Sequence, residues 1–557
     1  MILSAKITEK SYGDNVLYKG VALEIHNKEK IGLIGRNGTG KSTLLHILTG
    51  DDTDYQGEVT VKKGSVIVSS RQEHHGHEDK TVLEYIQGDL PEYEKLTHII
   101  DTYPNKMGSD AEKIQVFSDA LERFNELGYY TLESELESAF AAYQLDPACM
   151  HRKLKSLSGG QKRMVELIKV QRSRGHAALI DEPTNHMDYV AKAAFISWLR
   201  QADEAVLVIT HDRDVLDNVD RIVEIRDGIS YSFRGNYEAY LRTNTNQISS
   251  QVNEYDTTQR RIENLKQDVL RFRRLKEKAR NPGTIRRFKS QELRAAEELQ
   301  KLSSAEKPSF WIDQESASGM NNKLHDTYDK YKATNIRVRT RKKQSEGTGR
   351  LLIQADNLSL GFAGQPLFNE VSFALREGER LRLHGRNGAG KTTLVQAILA
   401  EATGSSLHCE LFDGSIEVEK AIKIGVYDQE INPKYLKLTL HDALEEVLRD
   451  KGLQISEQRI KQFLGDYLFN PATDGKMPVD LLSGGQKARL QLIAMLADDP
   501  HVLILDEPTN HLDLPSIEEL ENALAQYHGA IIYISHDSFF ANKLQGDTVT
   551  LDESERH

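Results

Sequence analysis

Three short blocks occur twice in this chain, in the same order each time. Gly-Leu-Ile-Gly-Arg-Asn-Gly-Thr-Gly-Lys-Ser at 32–42 returns at 382–392 as Arg-Leu-His-Gly-Arg-Asn-Gly-Ala-Gly-Lys-Thr. Ser-Leu-Ser-Gly-Gly-Gln-Lys at 156–162 returns at 481–487 as Leu-Leu-Ser-Gly-Gly-Gln-Lys. Ile-Asp-Glu-Pro-Thr-Asn-His-Met-Asp at 180–188 returns at 505–513 with two aliphatic changes, and His211-Asp212 and His536-Asp537 trail the two series. A repeat this long is no short-period solenoid. It is the duplication of a whole domain, and 557 residues are in any case too many for one hydrophobic core. The expected layout is a first copy at 1–240, an unlike insert at 241–350 and a second copy at 351–557.

The first block carries Gly-x-x-x-x-Gly-Lys-Ser/Thr after an apolar run, Ile31 to Ile34, and before a helix-like stretch, Ser42 to Leu48. Strand, loop and helix are the context in which this motif binds phosphate. Its glycines turn successive backbone N–H groups inward, and the helix N-terminus faces the same anion. Lys41 and Lys391 are placed to neutralise outer phosphates, and Ser42 and Thr392 to sit on Mg2+. The third block ends a short apolar strand in acids: Asp181-Glu182 and Asp506-Glu507. Such strands end where ligands bind in open α/β sheets. Asp181 and Asp506 would organise the metal, and Glu182 and Glu507 would polarise an attacking water. His211 and His536 each follow a further apolar run, from which they could hydrogen-bond a terminal phosphate. The fold class is therefore α/β, and the chemistry is nucleotide hydrolysis with ATP and Mg2+.

Each Ser-Gly-Gly-Gln opens a helix-like stretch, where serine can cap the helix or the helix end can hold an anion. With the other motifs it resembles the signature of the ATP-binding-cassette superfamily. That resemblance covers both repeats, about four-fifths of the chain. It implies two P-loop cassettes that pair head to tail around two ATP molecules. Site one would take Gly35, Asn37, Gly38, Gly40, Lys41, Ser42 and Thr43 of its loop with Gln72, Asp181, Glu182 and His211, closed by Ser483, Gly484 and Gly485. Site two would take Gly385, Asn387, Gly388, Gly390, Lys391, Thr392 and Thr393 with Gln429, Asp506, Glu507 and His536, closed by Ser158, Gly159 and Gly160. Gln72 and Gln429 would join the Mg2+ ligands, and Tyr12 and Phe362 match the aromatic that stacks on adenine. Neither site lacks a catalytic part, so both are expected to hydrolyse ATP.

The insert differs in charge. Residues 241–350 hold 25 Lys or Arg against 14 Asp or Glu, a net of +11 in a chain whose total is −12. Basic residues fused to acidic cassettes point to a polyanion partner such as nucleic acid. Ile248, Val252, Tyr255, Ile262, Leu265, Val269, Phe272 and Leu275 keep a spacing of three or four, which predicts a long amphipathic helix from about Asn244 to Arg280. Asn281-Pro282-Gly283 breaks it, a second helical stretch follows, and Leu324, Tyr328, Tyr331 and Val338 return at helical spacing. The pattern is that of a helical hairpin, turning either at 281–284 or nearer Pro308, with Phe310, Trp311 and Ile312 either a contact at the tip or packed within the insert.

Two cassettes, a charged helical linker and Asp-Glu-Pro-Thr-Asn-His-x-Asp in both cassettes resemble the ABC-F family. The resemblance implies a cytoplasmic, monomeric ATPase that binds the ribosome, its linker in the tRNA exit-site region against rRNA and tRNA. The run Arg271 to Arg294 is similar to the part of that linker lying on RNA. A surplus of ~32 residues between Gln72 and Ser158, against Gln429 to Ser483, predicts a short helical arm within 88–135. The long linker points to the antibiotic-resistance type. A housekeeping translation factor is the alternative, and a motor subunit of a membrane transporter and a DNA-repair ATPase are more distant ones. No run reaches the ~18 apolar residues of a membrane span, and the N-terminus lacks a signal peptide's layout.

Overall fold

In a computed structural model, the chain is described at residues 1–13, 15–71, 74, 76–105, 108, 110–185, 187–303, 349–420, 422–427, 431–510 and 512–551. It divides into two compact units: one unites residues 1–232 and 336–557, the other spans 233–335.

The first copy holds β1 (Leu3–Tyr12), β2 (Asn15–Tyr18), β3 (Val21–Ile25), β4 (Lys30–Gly35), β5 (Gln56–Val61), β6 (Ile67–Ser69), β7 (Ala177–Asp181), β8 (Ala205–Ile209), β9 (Arg221–Arg226) and β10 (Ile229–Arg234). β1 pairs antiparallel with β2, β3 and β5. The larger sheet runs β10-β9-β4-β8-β7-β6, and from β9 to β6 its pairs are parallel. β7 and β8 are buried along their whole length, which is why they read as unbroken aliphatic runs rather than alternating ones.

The second copy holds β11 (Leu351–Phe362), β12 (Gln365–Arg376), β13 (Arg380–His384), β14 (Glu410–Val418), β15 (Ile424–Tyr427), β16 (Val502–Asp506), β17 (Ala530–Ile534) and β18 (Asp547–Thr550). Its parallel sheet runs β18-β13-β17-β16-β15, the same order of equivalent strands as β9-β4-β8-β7-β6. The duplication in sequence is thus a duplication in topology. In both sheets the strand before the phosphate loop lies one strand away from the acid-tipped strand, so their carboxyl ends share one edge.

Between β6 and β7 the first copy carries the helix Val82–Asp89 and then two further helices, Tyr93–Thr102 and Ala111–Glu126. The latter pair is locked by aromatic rings: Tyr93 lies 5.1 Å from Tyr129 and 5.8 Å from Phe124, centroid to centroid. Asp110 starts the second of them by accepting the N–H groups of Glu112 and Lys113.

The second unit contains a 42-residue helix, Tyr237–Lys278, and the helix Pro282–Ser303. The first begins earlier than its apolar spacing suggested, because Asn236 caps it by accepting the Ala239 N–H at 3.2 Å. Asn281 accepts the Gly283 N–H at 2.8 Å and Pro282 opens the next helix, a first-turn position that needs no N–H. The chain therefore doubles back at residues 279–281. Arg261 pairs with Glu298 and Lys276 with Glu292 across the two helices, and Ile262, Leu265 and Ala295 are buried along the seam. Pro308, Phe310 to Ile312 and the spacing from Leu324 to Val338 lie outside the described residues. Among the described residues no helix is long and apolar enough to cross a membrane.

Candidate functional site

Each phosphate loop joins its strand to a helix, Lys41–Thr49 or Lys391–Thr403, through a left-handed glycine. Gly40 (φ +92°) is the clearest case, since a Cβ there would lie 2.7 Å from the Tyr18 hydroxyl and 2.7 Å from Leu17. Gly35, Gly38, Gly385, Gly388 and Gly390 share this half of the backbone map. The loop lysines are buried and curl over their own loops: Lys41 Nζ donates to Gly35 O at 2.7 Å and Lys391 Nζ to Gly385 O at 2.6 Å. Ser42 Oγ donates to Asp181 Oδ2 at 2.8 Å, and Thr392 Oγ1 to Asp506 Oδ2 at 3.1 Å. Hydroxyl and carboxylate oxygens so paired are the hard donors that Mg2+ takes.

Glu182 and Glu507 both sit in the left-handed region, at φ +45° and +48°, which no glycine relieves. Their N–H groups are tied to the neighbouring strand ends, Ile209 O at 2.8 Å and Ile534 O at 3.0 Å. A non-glycine residue held this way costs about 1–3 kcal/mol and marks sites where direction matters more than comfort. Burial first, and then the adjacent Asp181 or Asp506 charge, pushes each glutamic acid up to about 8. Burial and the nearby loop lysine push His211 and His536 down to about 3, so both imidazoles stay neutral near pH 7. His211 Nε2 stands 3.6 Å from Glu182 Oε1, and His536 Nε2 stands 3.5 Å from Glu507 Oε1. Among the described residues, neither ring nitrogen of His211, nor Nδ1 of His536, nor Oε1 of Glu507 has a hydrogen-bond partner. Buried polar atoms of this kind, beside glycine-cradled loops, fit a phosphate ligand.

Ser158 and Ser483 each form a reciprocal cap. Ser158 Oγ accepts the Gln161 N–H at 3.2 Å while Gln161 Oε1 accepts the Ser158 N–H at 3.0 Å; Ser483 and Gln486 repeat this at 3.3 and 3.0 Å. The helices Gly159–Arg172 and Gly484–Leu496 thus present their N-termini through Gly159-Gly160 and Gly484-Gly485. Most of these meet in one cavity of about 1210 Å³, whose walls include Asn37, Gly38, Lys41, Ser42, Thr43, Asp181, Glu182 and His211 of the first copy and Asn387, Gly388, Thr392, Glu507 and His536 of the second, with both Ser-Gly-Gly segments; Gly35, Gly385, Gly390, Lys391 and Asp506 are not among its walls. That exceeds the ~300–1,000 Å³ usual for one small-molecule site. Thr393 follows Thr392 in its helix. Tyr12 is exposed and lines the cavity, whereas Phe362, at the end of β11, is exposed and is not among its walls. Gln72 and Gln429 lie outside the described residues.

Residues that motif reading left without a role join the two copies. Asp188 caps the helix Tyr189–Gln201 with Oδ1 and accepts the Asn387 N–H of the opposite phosphate loop with Oδ2, at 3.0 Å. Asp513 does the same for the helix Leu514–Ala525 and Asn37, at 3.1 Å. Arg213 of the first copy pairs with Glu521 and, at 3.2 Å, with Asp537 of the second. Lys192 donates to His536 O at 3.1 Å. The available signal was the aspartate that closes both copies of the third block.

A family model described as ABC transporter matches residues 18–185 and 368–510, and a second model with that description matches 223–314. The energy-dependent translational throttle protein EttA of Mycobacterium tuberculosis is 30% identical over 97% of this chain and 90% of its own length. The ABC transporter F family member 5 of Arabidopsis thaliana is 28% identical over 98% of this chain and 74% of its own. The ribosome protection protein VmlR of Bacillus subtilis is 27% identical over 96% and 84%. Among solved structures, the archaeal ribosome recycling factor aABCE1, in its complex with a ribosomal stalk protein, superposes with a TM-score of 0.53 at 17% identity, over 97% of this chain and 89% of that one; this is a likeness of fold.

The raised glutamic acids make a stability prediction. A carboxyl that titrates near 8 when folded and near 4.3 when unfolded binds more protons in the folded state between those values, so stability is lost as pH rises through that window. Glu182→Gln/Glu507→Gln removes this loss. The nucleotide-free variant's melting temperature, relative to that of the unaltered protein, is expected to rise from pH 5 to pH 8 by differential scanning fluorimetry. A difference that does not change with pH would contradict the assignment.

Proposed function

Because this chain belongs to the ABC-F family of tandem ATP-binding-cassette proteins, we propose that it is an ATPase that binds the ribosome near the tRNA exit site and protects translation from antibiotics. The observation that carries the ATPase reading is the cavity shared by both phosphate loops and both Ser-Gly-Gly helix ends. ATP in site one lies on the loop Gly35 to Ser42, its outer phosphates against Lys41, and is capped by Ser483, Gly484 and Gly485. Site two pairs Lys391 and its loop with Ser158, Gly159 and Gly160. Mg2+, held by Ser42 or Thr392 with Asp181 or Asp506, would neutralise phosphate oxygens. Glu182 and Glu507, poised near neutral pH, take the proton of the attacking water. His211 and His536, kept neutral, can each donate one ring N–H to the terminal phosphate and are not titrated by the reaction. ATP is held by both copies at once, so binding closes them and hydrolysis lets them part.

The ribosome enters through the relatives' names, which speak of a translational throttle and of ribosome protection, and through the linker's charge. Arg271, Arg273, Arg274, Lys278, Arg280, Arg286, Arg287, Lys289 and Arg294 flank the bend at 279–281, all exposed, and form no ion pair among the described residues. Unpaired cations at a bend suit the phosphates of rRNA and tRNA, which give affinity with little sequence preference. The similarity to a translational throttle favours a second reading, in which the same machine sets elongation without a drug.

Glu182→Gln/Glu507→Gln is expected to keep ATP binding, to lose at least ~100-fold in turnover, and to co-sediment with ribosomes only when ATP is present. Turnover at the unaltered rate would overturn the catalytic assignment, and an ATP-loaded variant that leaves ribosomes in the supernatant would overturn the partner. Cell-free translation stalled by peptidyl-transferase inhibitors should recover on adding the unaltered protein; recovery absent, with drug-free elongation altered, selects the second reading.

Changing Arg273, Arg274, Arg286 and Arg287 together to Ala should weaken ribosome binding and flatten its dependence on salt, by about one unit of log-log slope for each phosphate no longer neutralised. Retention of the original slope in a salt titration would remove the bend from the interface.

A further inference from the structure

We propose that three charged residues of the helix Gly159–Arg172, the half-buried Arg163 and the buried ion pair of Glu166 and Lys169, form a positioning element that belongs to ATP site one alone. The three side chains follow one another at intervals of three along the helix. Arg163 Nη2 donates to the backbone carbonyl of Glu182 at 2.9 Å. Glu166, fully buried, accepts the Arg71 N–H at 2.9 Å and lies 3.1 Å from His74 Nε2, and the Tyr85 hydroxyl donates to it. Lys169, equally buried, pairs with Glu166 at 3.0 Å and with Asp89 at 2.8 Å and donates to the Tyr85 hydroxyl at 3.0 Å. Asp89 ends the helix Val82–Asp89, just ahead of the helices Tyr93–Thr102 and Ala111–Glu126. Burial alone would push the Glu166 carboxyl up; the contact to His74, the Lys169 charge, the Tyr85 hydroxyl and the Arg71 N–H hold it at about 2, so it stays ionised.

The second copy is an internal control. Ser158 and Ser483 cap equivalent helices, so Arg163, Glu166 and Lys169 correspond to Ala488, Gln491 and Ala494. Thr81 and Thr439 also cap equivalent helices and make equivalent bridges, to Lys153 and Pro478. Tyr85 and Asp89 therefore correspond to Ala443 and Val447, which are buried. The same helix pair is built once with ions and once without. Buried ion pairs gain little over well-packed apolar residues, and the fold evidently does without them. What they add is charge one helical turn apart, from Arg163 on the strained backbone of Glu182 to the Glu166–Lys169 pair that holds Arg71, His74 and Asp89 at the root of the paired helices; among the described residues the corresponding positions Ala488, Gln491 and Ala494 behind Glu507 carry no charge.

The inference rests on the reading that both sites hydrolyse ATP, and its test separates the two. Full-length protein is loaded with ATP and Mg2+, and bound ADP is followed over a single turnover in two parents: Glu507→Gln, which leaves site one, and Glu182→Gln, which leaves site two. Into each is placed R163A/E166Q/K169A, which installs the second copy's neutral side chains and strands no buried partner of the Glu166–Lys169 pair. ADP formation should slow at least about tenfold in the Glu507→Gln parent, with ATP affinity changed less than about threefold, and should stay within about twofold in the Glu182→Gln parent. Arg163→Ala, on a half-buried side chain, should give a smaller loss confined to site one even if the triple variant does not fold, and Arg163→Lys should restore part of it. Equal slowing in both parents, or none in either, overturns the proposal. So does a Glu507→Gln parent that forms no ADP while the unaltered protein does. An unaltered protein that forms none overturns the ATPase reading first.

Discussion

Two aspartates hold the arrangement together. Asp188 and Asp513 each divide their carboxylate, one oxygen capping a helix of their own copy and the other accepting a backbone N–H from the opposite phosphate loop. An N-cap interaction is already stabilising where it stands. Using the second oxygen across the boundary makes the placement of one loop depend on the start of a helix in the other copy. The cavity follows from that: two loops and two capped helix ends face one another because their backbones are registered through shared carboxylates. Arg213 with Glu521 and Asp537 adds a buried ionic contact to the same boundary, one whose rupture would strand charge away from water.

Within that frame the chemistry is set by contrast. A carboxyl and an imidazole that share a strand edge are pushed in opposite directions by the same burial, the acid up to about 8 and the histidine down to about 3. The carboxyl can therefore exchange a proton near neutral pH while the imidazole beside it does not. The left-handed backbone at Glu182 and Glu507 fixes where each carboxyl can reach.

Much of this was legible in the residues. The duplication, the α/β class and the family stand in contiguous motifs whose spacing encodes strand, loop and helix. What the residues could not convey was partnership at long range. Asn37 and Asp513 are 476 residues apart, and no periodicity connects them. Arg163, Glu166 and Lys169 recur every third residue of a helix, and that spacing alone cannot tell water from a neighbouring Tyr85 and Asp89. Of the linker's two breakers in the sequence, the described residues show a fold-back at 279–281, where Asn281 and Pro282 act together as a cap and a first-turn residue of the next helix, and Pro308 lies outside them.

The helix Tyr237–Lys278 has a mechanical consequence. Forty-two residues at about 1.5 Å each make a rod of ~63 Å, stiffened by the helix folded back along it. Over that length, tilting the rod by about 10° at its foot carries the basic bend through about 11 Å, roughly two turns of helix. A small rotation at one end of such a rod thus becomes a large displacement of the basic residues at the other.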